Sequence, residues 1–349
     1  MTTLTACSSN WATRSDDERF LSLPEMRDEM ATHCDWDDRN VRLKDLYVSD
    51  AGTDIMVHDA HDRPRKLTHW AFGQLAAKVG APPEFLRTLP PLLVSEILVT
   101  KSSELVEDVN LYASRDTVHA FTGPRYGRIL NVDIVDALID QVGDGRTGDF
   151  RVPGEFGKAV EITKKNTTLF ASDRDMFVFL ADEERRIELP NRRDGRTGSL
   201  ARGFFVSNSE TGSASLKITT FLFDYVCSNR IVWGAEEVHE VSIRHTRNAG
   251  ARWLDTVIPR MSEIARESDR GVVTAIEEAR NRKIAADFLP KLVGPRVAKK
   301  YEHLHMLEEG RPVETVWDAV TAITAAAREI SHQSERVALE RIAGKLLAA

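Results

Sequence analysis

Arginine and lysine recur at close spacing along the middle of the chain. Arg125 and Arg128 flank Tyr126, Lys164 and Lys165 are adjacent, Arg192 and Arg193 are adjacent, and Arg202 opens an aromatic run. Arg115, Lys158 and Arg196 fall in the same region. A guanidinium fork or an ammonium point charge suits phosphate oxygens, and an aromatic ring between two arginines can stack on a base whatever its identity. The expected ligand of such a set is a phosphate backbone rather than a base edge, because no helix-turn-helix or zinc-finger pattern accompanies it. The same charges also read as solvated surface. Asp182, Glu183, Glu184 and Glu188 are interleaved with Arg185, Arg186, Arg192 and Arg193 and balance them.

Other chemistry is thinly represented. His58, His61 and His69 with Asp54, Asp59 and Asp62 form the densest imidazole and carboxylate group, but their spacing follows no metal-ligand pattern, and Asp59, His61 and Asp62 also make a polar turn before Pro64. His303 and His305 stand two apart, on different faces of a helix. Cys7, Cys34 and Cys227 are scattered and odd in number, which excludes a disulfide framework, and Cys227 has no adjacent base to activate it. No phosphate-binding Gly-x-x-x-x-Gly-Lys loop or Gly-rich dinucleotide turn occurs, so no cofactor is expected and an enzyme is the weaker reading.

The chain has 349 residues, 42% hydrophobic and 29% charged, with a formal net charge of -7. That balance suits a folded protein with a sizeable core and excludes a uniformly basic coat, while leaving room for a local basic groove. The polar start and the lack of a long apolar run argue against secretion and membrane spanning, and a cytoplasmic protein is expected.

The elements that must position these residues centre on 199–233. Two runs alternate with period 2, Phe204 to Ser207 and Leu216 to Tyr225, around the turn Asn208-Ser209-Glu210-Thr211-Gly212-Ser213. The second run, apolar on both faces at Phe221, Leu222 and Phe223, is expected to be interior. Before it, 23–30 predicts a short helix, 46–48 and 55–57 a hairpin, and 68–79 a helix capped by Thr68 and ended by Gly80. Helices are predicted also from a start at 81–86 to near 89–91, from 92 to about 101, and over 133–139. Strands are predicted at 109–112, 119–121 and 177–180, with a broken alternating run over 156–168 and a charged loop over 182–198. After His245 the chain reads as helical, chiefly 256–267, 272–289 and 313–347. The last carries Val316, Val320, Ile323, Ala327 and Ile330 and a polar break at 331–334, which predicts a helix or broken helical pair docked on the body or on another subunit.

Several phrases resemble one known family. They are His69-Trp70-Ala71-Phe72-Gly73-Gln74-Leu75-Ala76, Val79-Gly80-Ala81-Pro82-Pro83-Glu84-Phe85-Leu86, the stretch from His119 to Asn131 that contains Arg125-Tyr126-Gly127-Arg128, Arg202-Gly203-Phe204-Phe205-Val206-Ser207-Asn208-Ser209-Glu210, and Phe223-Asp224-Tyr225-Val226-Cys227-Ser228-Asn229-Arg230. Together they resemble phage/plasmid-like proteins that carry the domain of unknown function 932. At 118–123 the sequence departs from the run that usually precedes the Arg-Tyr pair. More remotely, the family resembles single-strand annealing proteins of recombination, which implies a curved antiparallel sheet packed on helices, a ring or filament, and DNA held in a basic groove.

The expected fold is α+β, with a curved, mainly antiparallel sheet, an N-terminal arm and small strands over 1–67, a body over 68–240 and a helical region over 241–349. The expected function is sequence-nonspecific single-stranded DNA binding by a homo-oligomer, in annealing or recombination. Arg125, Tyr126, Arg128, Lys164, Lys165, Arg192, Arg193 and Arg202 are its candidate contacts. Two alternatives stand beside it, a homo-oligomeric structural or regulatory protein that binds no nucleic acid, and a metal-dependent nuclease using the His and Asp group.

Overall fold

The computed structural model describes residues 15–32, 37–50, 54–58, 63–153, 161–190, 197–224, 229–231, 240–266, 270–329 and 333–349. The chain begins with β1 (Arg19–Phe20) and α1 (Leu23–Ala31). The side chain of Ser22 caps α1 by accepting the Glu25 N–H, and Pro24 sits in the first turn, where its missing N–H costs nothing.

A small sheet follows, built from β2 (Asp37–Arg42), β3 (Tyr47–Asp50), β4 (Ile55–His58), β5 (Pro64–Leu67), β6 (Asp108–Ala113) and β7 (Thr117–Thr122), in the order β2-β6-β7-β5-β4-β3. Among the described residues only the β5 and β7 pairing of this sheet is parallel. Between β5 and β6 run α2 (His69–Lys78), α3 (Pro83–Leu86) and α4 (Pro91–Ser103). Their apolar stripe, with Leu75, Leu86, Val94 and Leu98, closes a core over Val57, Leu111, Val118 and Phe121. This sheet crosses residue 67, the expected boundary between arm and body. The reason is long-range pairing: Lys66 and Leu67 register with Thr117 and Val118 of the body.

After α5 (Asn131–Val142) comes the larger sheet, with β8 (Phe150–Arg151), β9 (Leu169–Ala171), β10 (Met176–Leu189), β11 (Gly198–Asn208), β12 (Leu216–Asp224), β13 (Asn229–Ile231) and β14 (Glu240–Ile243). Its order is β1-β9-β10-β11-β12-β13, with β8 on β10 and β14 on β12, and every pairing is antiparallel. β11 and β12 are the predicted hairpin and β12 is interior, as its two apolar faces require. The charged loop expected at 182–198 is strand as far as Leu189, and 191–196 lie outside the described residues. β10 continues to Leu189 past a register shift between Ala181 and Arg186, where buried Asp182 accepts N–H groups of Glu184 (3.2 Å) and Arg185 (2.9 Å). The carboxylate closes the bulge locally, and Arg151 pairs with Glu184 at 2.8 Å across it, so charge density here marks an ion-paired strand. Of the run expected at 156–168, residues 154–160 lie outside the described set and 161–168 form no strand.

Among the described residues six helices follow: α6 (Ala249–Arg266), α7 (Arg270–Asn281), α8 (Phe288–Val293), α9 (Pro295–Glu309), α10 (Val316–Arg328) and α11 (Gln333–Ala348). α6 starts seven residues earlier than the predicted 256, and Trp253, Val257 and Met261 at four-residue steps pack it with α1 and α5 against Leu180, Phe204, Val206 and Ile218 of the large sheet. The opposite face of that sheet carries a layer of Phe177, Phe205, Phe221 and Phe179, whose neighbouring ring centroids lie 5.8, 5.7 and 4.6 Å apart. α10 and α11 are the predicted broken pair, docked within the chain. Every residue from Val316 to Ala327 is buried, because α7, α9, α11 and β13 surround α10, and its alanines allow that close approach. Thr315 and Asp318 form a reciprocal cap at its start, and Arg311 pairs with the fully buried Asp318 at 2.6 Å. Among the described residues no helix is long and apolar enough to cross a membrane.

Two glycines give opposite expectations. A Cβ on Gly203 in β11 would stand 2.4 Å from the Phe221 ring and 2.6 Å from the Leu180 carbonyl oxygen, whereas one on Gly73 in α2 meets nothing within 4 Å. Gly203→Ala should cost about 1 to 3 kcal/mol of stability by overpacking. Gly73→Ala should add about 0.5 to 1 kcal/mol by raising helix propensity. Urea denaturation of both variants measures the two signs.

Candidate functional site

The turn at 209–213 plugs the large sheet into the small one. Ser209, Thr211 and Ser213 all donate their hydroxyls to the Arg174 carbonyl, at 2.6, 2.8 and 3.2 Å. From the small sheet's helix, Trp70 Nε1–H and Gln74 Nε2–H donate to the Thr211 carbonyl at 3.0 and 2.8 Å, while Gln74 Oε1 accepts the Phe121 N–H of β7 at 2.9 Å. Asn208 donates to the Ile129 carbonyl (2.9 Å) and to Asn131 Oδ1 (2.8 Å), and Glu210 Oε2 accepts the Asn131 N–H at 2.9 Å. α5 thus receives its N-terminal carboxylate from a residue 79 positions away instead of from a local cap.

Arg128 occupies the middle of this junction. Its guanidinium donates to Asp38 Oδ2 at 3.1 Å and to Thr122 Oγ1 at 3.3 Å, and also to the Glu210 carbonyl and Asn110 Oδ1. It lies over the Tyr112 ring at 3.9 Å and 5.3 Å from the Tyr126 centroid. Burial raises the Tyr112 and Tyr126 hydroxyls above the usual phenol range despite that cation. Desolvation also pushes the Glu210 carboxyl up, against the opposing pull of the Asn131 N–H and Arg128.

The loop at 123–130 is pressed onto 244–250. Gly127 N–H donates to the His245 carbonyl at 3.2 Å, and the Tyr126 and His245 rings stack at 4.8 Å and 8°. A Cβ on Gly127 would fall 1.7 Å from the Thr246 oxygen and one on Gly250 would fall 2.4 Å from the Arg128 oxygen, so glycine at both positions permits the approach. Asn208 uses its amide N–H groups elsewhere, so its Oδ1 is the atom that faces His245 Nε2, at 3.1 Å. The other ring nitrogen faces the Gly127 carbonyl at 3.1 Å. Burial nevertheless holds the imidazole down to about 4, the Gly127 oxygen pulling the other way.

This contact gathers cations that are far apart in sequence. Arg125 is exposed on the loop, and Arg244, Arg247 and Arg252 are exposed on and beside the segment that receives it. Arg247 and Arg252 line a groove of about 410 Å³ with Thr246, Asn248, Thr256 and one acid, Asp255. None of the four arginines has an ion pair among the described residues. At another point of the junction a cleft of about 350 Å³ is lined by Asp17, Glu18, Glu29, Asp173 and Glu210, a wall that repels polyanions.

The predicted contacts are dispersed. Arg125 and Lys165 are exposed, while Tyr126 stacks on His245 and donates its hydroxyl to the Ser209 carbonyl at 2.8 Å. Arg128 is buried with its donors engaged, and Arg202 is buried in β11 opposite Leu222. Lys164 donates to the Arg19 carbonyl and pairs with Glu25 at 3.3 Å. Arg192 and Arg193, like Lys158, Arg196, Asp59, His61 and Asp62, lie outside the described residues. His58 bonds Ser49 Oγ at 2.8 Å, and among the described residues no group of three or more His, Cys, Asp or Glu is placed to hold a metal. Sequence reasoning missed Arg244, Arg247 and Arg252. Their local signal was an Arg-His-Thr-Arg-Asn run just before a helix with Arg in its first turn.

The chain matches the model of a family described as a domain of unknown function, DUF932, over residues 155–338. It belongs to that family. No curated protein and no solved structure matches it. The matched stretch contains the large sheet from β9 onward, the arginine-bearing segment and α6 to α10, while the small sheet precedes it.

Arg128→Met should destabilise the chain by about 3 kcal/mol, because it leaves Asn110, Thr122 and Asp38 without their common donor. Differential scanning calorimetry measures the loss. His245 has its folded value below its ordinary 6.5, so the unfolded chain binds more protons and stability falls as pH drops from about 6.5 to about 4. Fully expressed, that loss is about 3 kcal/mol. Glu210 acts with the opposite sign, favouring the protonated folded state as pH falls. The difference between wild type and His245→Gln in urea titrations across that window isolates the histidine, and the variant should show the flatter acid limb.

Proposed function

We propose that this protein binds single-stranded DNA without sequence preference, through phosphate contacts made by Arg125, Arg244, Arg247 and Arg252. The observation that carries this reading is the docking of 123–130 on 244–250, which joins two segments bearing four exposed arginines without an ion pair among the described residues, Arg247 and Arg252 lining a groove, in a chain of net charge -7. Guanidinium groups without carboxylate partners are free to exchange water for phosphate oxygens, and that exchange releases counterions. A groove of about 410 Å³ has the dimensions of a ligand cleft, which a flexible strand can enter and the body of a duplex cannot. Tyr126 is held by His245 and Ser209, so its part is to set the loop's orientation while the arginines make the contacts. Base edges take no part in such binding, in keeping with a backbone-directed mode. We extend the proposal to strand annealing by a homo-oligomer in a phage, plasmid or other mobile-element setting, within the cytoplasm.

Fluorescence anisotropy with labelled oligonucleotides of two compositions, titrated across salt, tests it. Four phosphate contacts to a single strand predict a log-log salt slope of about -3, equal for both compositions. Arg247→Ala combined with Arg252→Ala should cut that slope by about half. No binding at low salt, or an unchanged slope in the double variant, overturns the reading.

A further inference from the structure

The acid-lined cleft of about 350 Å³ at the junction of the two sheets has chemistry that DNA binding does not use. Among the described residues no lysine or arginine lines it, and its imidazole, His119, engages Ser114 Oγ through Nε2 at 3.0 Å. Asp17, Glu29 and Asp173 are exposed along it and Glu210 is half-buried. None of these four carboxylates makes an ion pair among the described residues. The cations that act on them from outside the lining are paired elsewhere. Lys164, which acts on Asp17, pairs with Glu25 at 3.3 Å, and Arg128, which acts on Glu210, pairs with Asp38 at 3.1 Å. The cleft therefore stays net negative once every ion pair is counted, and it selects a cation.

A buried amide narrows the class of cation. Asn131 lines the cleft with only 5% of its surface exposed. Its Oδ1 accepts the Asn208 amide at 2.8 Å, which fixes the orientation of the side chain, and its Nδ2 group has no hydrogen-bond partner among the described residues. A buried donor without an acceptor is costly, so the position favours a ligand that brings an oxygen. The Asn131 backbone N–H donates to Glu210 Oε2 at 2.9 Å, which sets that carboxylate next to the amide. Burial pushes the Glu210 carboxyl up, and an ammonium group alongside offsets that desolvation. Phe20, Met30 and Ala171 form the apolar part of the wall. We propose that this cleft binds a small amino alcohol with an apolar tail, its ammonium at Glu210, its hydroxyl oxygen on Asn131 Nδ2 and its tail on Phe20, Met30 and Ala171. Asp17, Glu29 and Asp173 draw the cation in. The site is independent of the arginine groove and of the DNA reading.

Isothermal titration calorimetry of the full chain with phenylalaninol tests the proposal. Hydrocinnamyl alcohol is the probe that lacks the amine, and phenethylamine the probe that lacks the hydroxyl. Phenylalaninol should bind at least about tenfold more tightly than hydrocinnamyl alcohol and about fivefold more tightly than phenethylamine. Glu29→Lys combined with Asp173→Lys, both at exposed positions, should reduce phenylalaninol affinity about fivefold or more while leaving the melting temperature near that of wild type. Glu210→Gln keeps an acceptor for the Asn131 N–H but removes the charge, and it should abolish binding. The double variant decides the matter if Glu210→Gln fails to fold. Arg247→Ala should leave phenylalaninol binding unchanged, which separates this site from DNA binding. Affinity for either control probe equal to that for phenylalaninol, no heat with phenylalaninol, or wild-type affinity in the folded double variant overturns the proposal.

Discussion

A guanidinium withdrawn from water retains five N–H donors that the protein must satisfy, and Arg128 draws its acceptors from separate parts of the chain. Asp38 comes from the first strand of the small sheet, Asn110 and Thr122 from its centre, and the Glu210 carbonyl from the turn of the large sheet. The two sheets have to lie as they do for these groups to converge. Separating them would leave a buried charge, several amide acceptors and the carbonyl of Thr211 without partners at once. Hydrophobic burial stabilises each sheet with its own helices, but it is directionless. The mutual orientation is set by hydrogen bonds, which are directional and costly to leave unmade.

The same junction governs the candidate site. The loop that ends in Arg128 begins with Arg125, and the ring between them stacks on His245. Fixing Arg128 therefore fixes where Arg125 emerges and which face of 244–250 it meets. The contact excludes side chains at Gly127 and Gly250 and so brings two backbones together, leaving arginines from both at the surface. The acid-lined cleft at another point of the junction gives the molecule a polar asymmetry that its net charge of -7 conceals. For a phosphate-bearing ligand, this distribution of charge determines encounter far more than the total does.

The family stretch at 155–338 includes the segment that carries Arg244, Arg247 and Arg252, but Arg125 and Arg128 stand before it. The docking of 123–130 on 244–250 thus joins the two sides of that boundary.

Local pattern was enough for most elements. Period 2 around a Gly- and Ser-rich turn specified β11 and β12, Thr68 and Gly80 bracketed α2, and three- and four-residue apolar steps marked α10 and α11. These signals are legible because alternation and helical periodicity are properties of neighbouring residues. The ion-paired continuation of β10 was not, since charged residues that neutralise one another across a strand look like a solvated loop until the partner strand is known. The fate of each cation was equally hidden. Arg125 and Arg128 have the same side chain three positions apart, yet one is exposed and the other is buried among acceptors 6 to 90 residues away. By itself the sequence determined an α+β chain with the residues needed for anion contacts. Only the tertiary structure decided which arginines remain free to make them, because burial and partnership are set by groups that meet through folding.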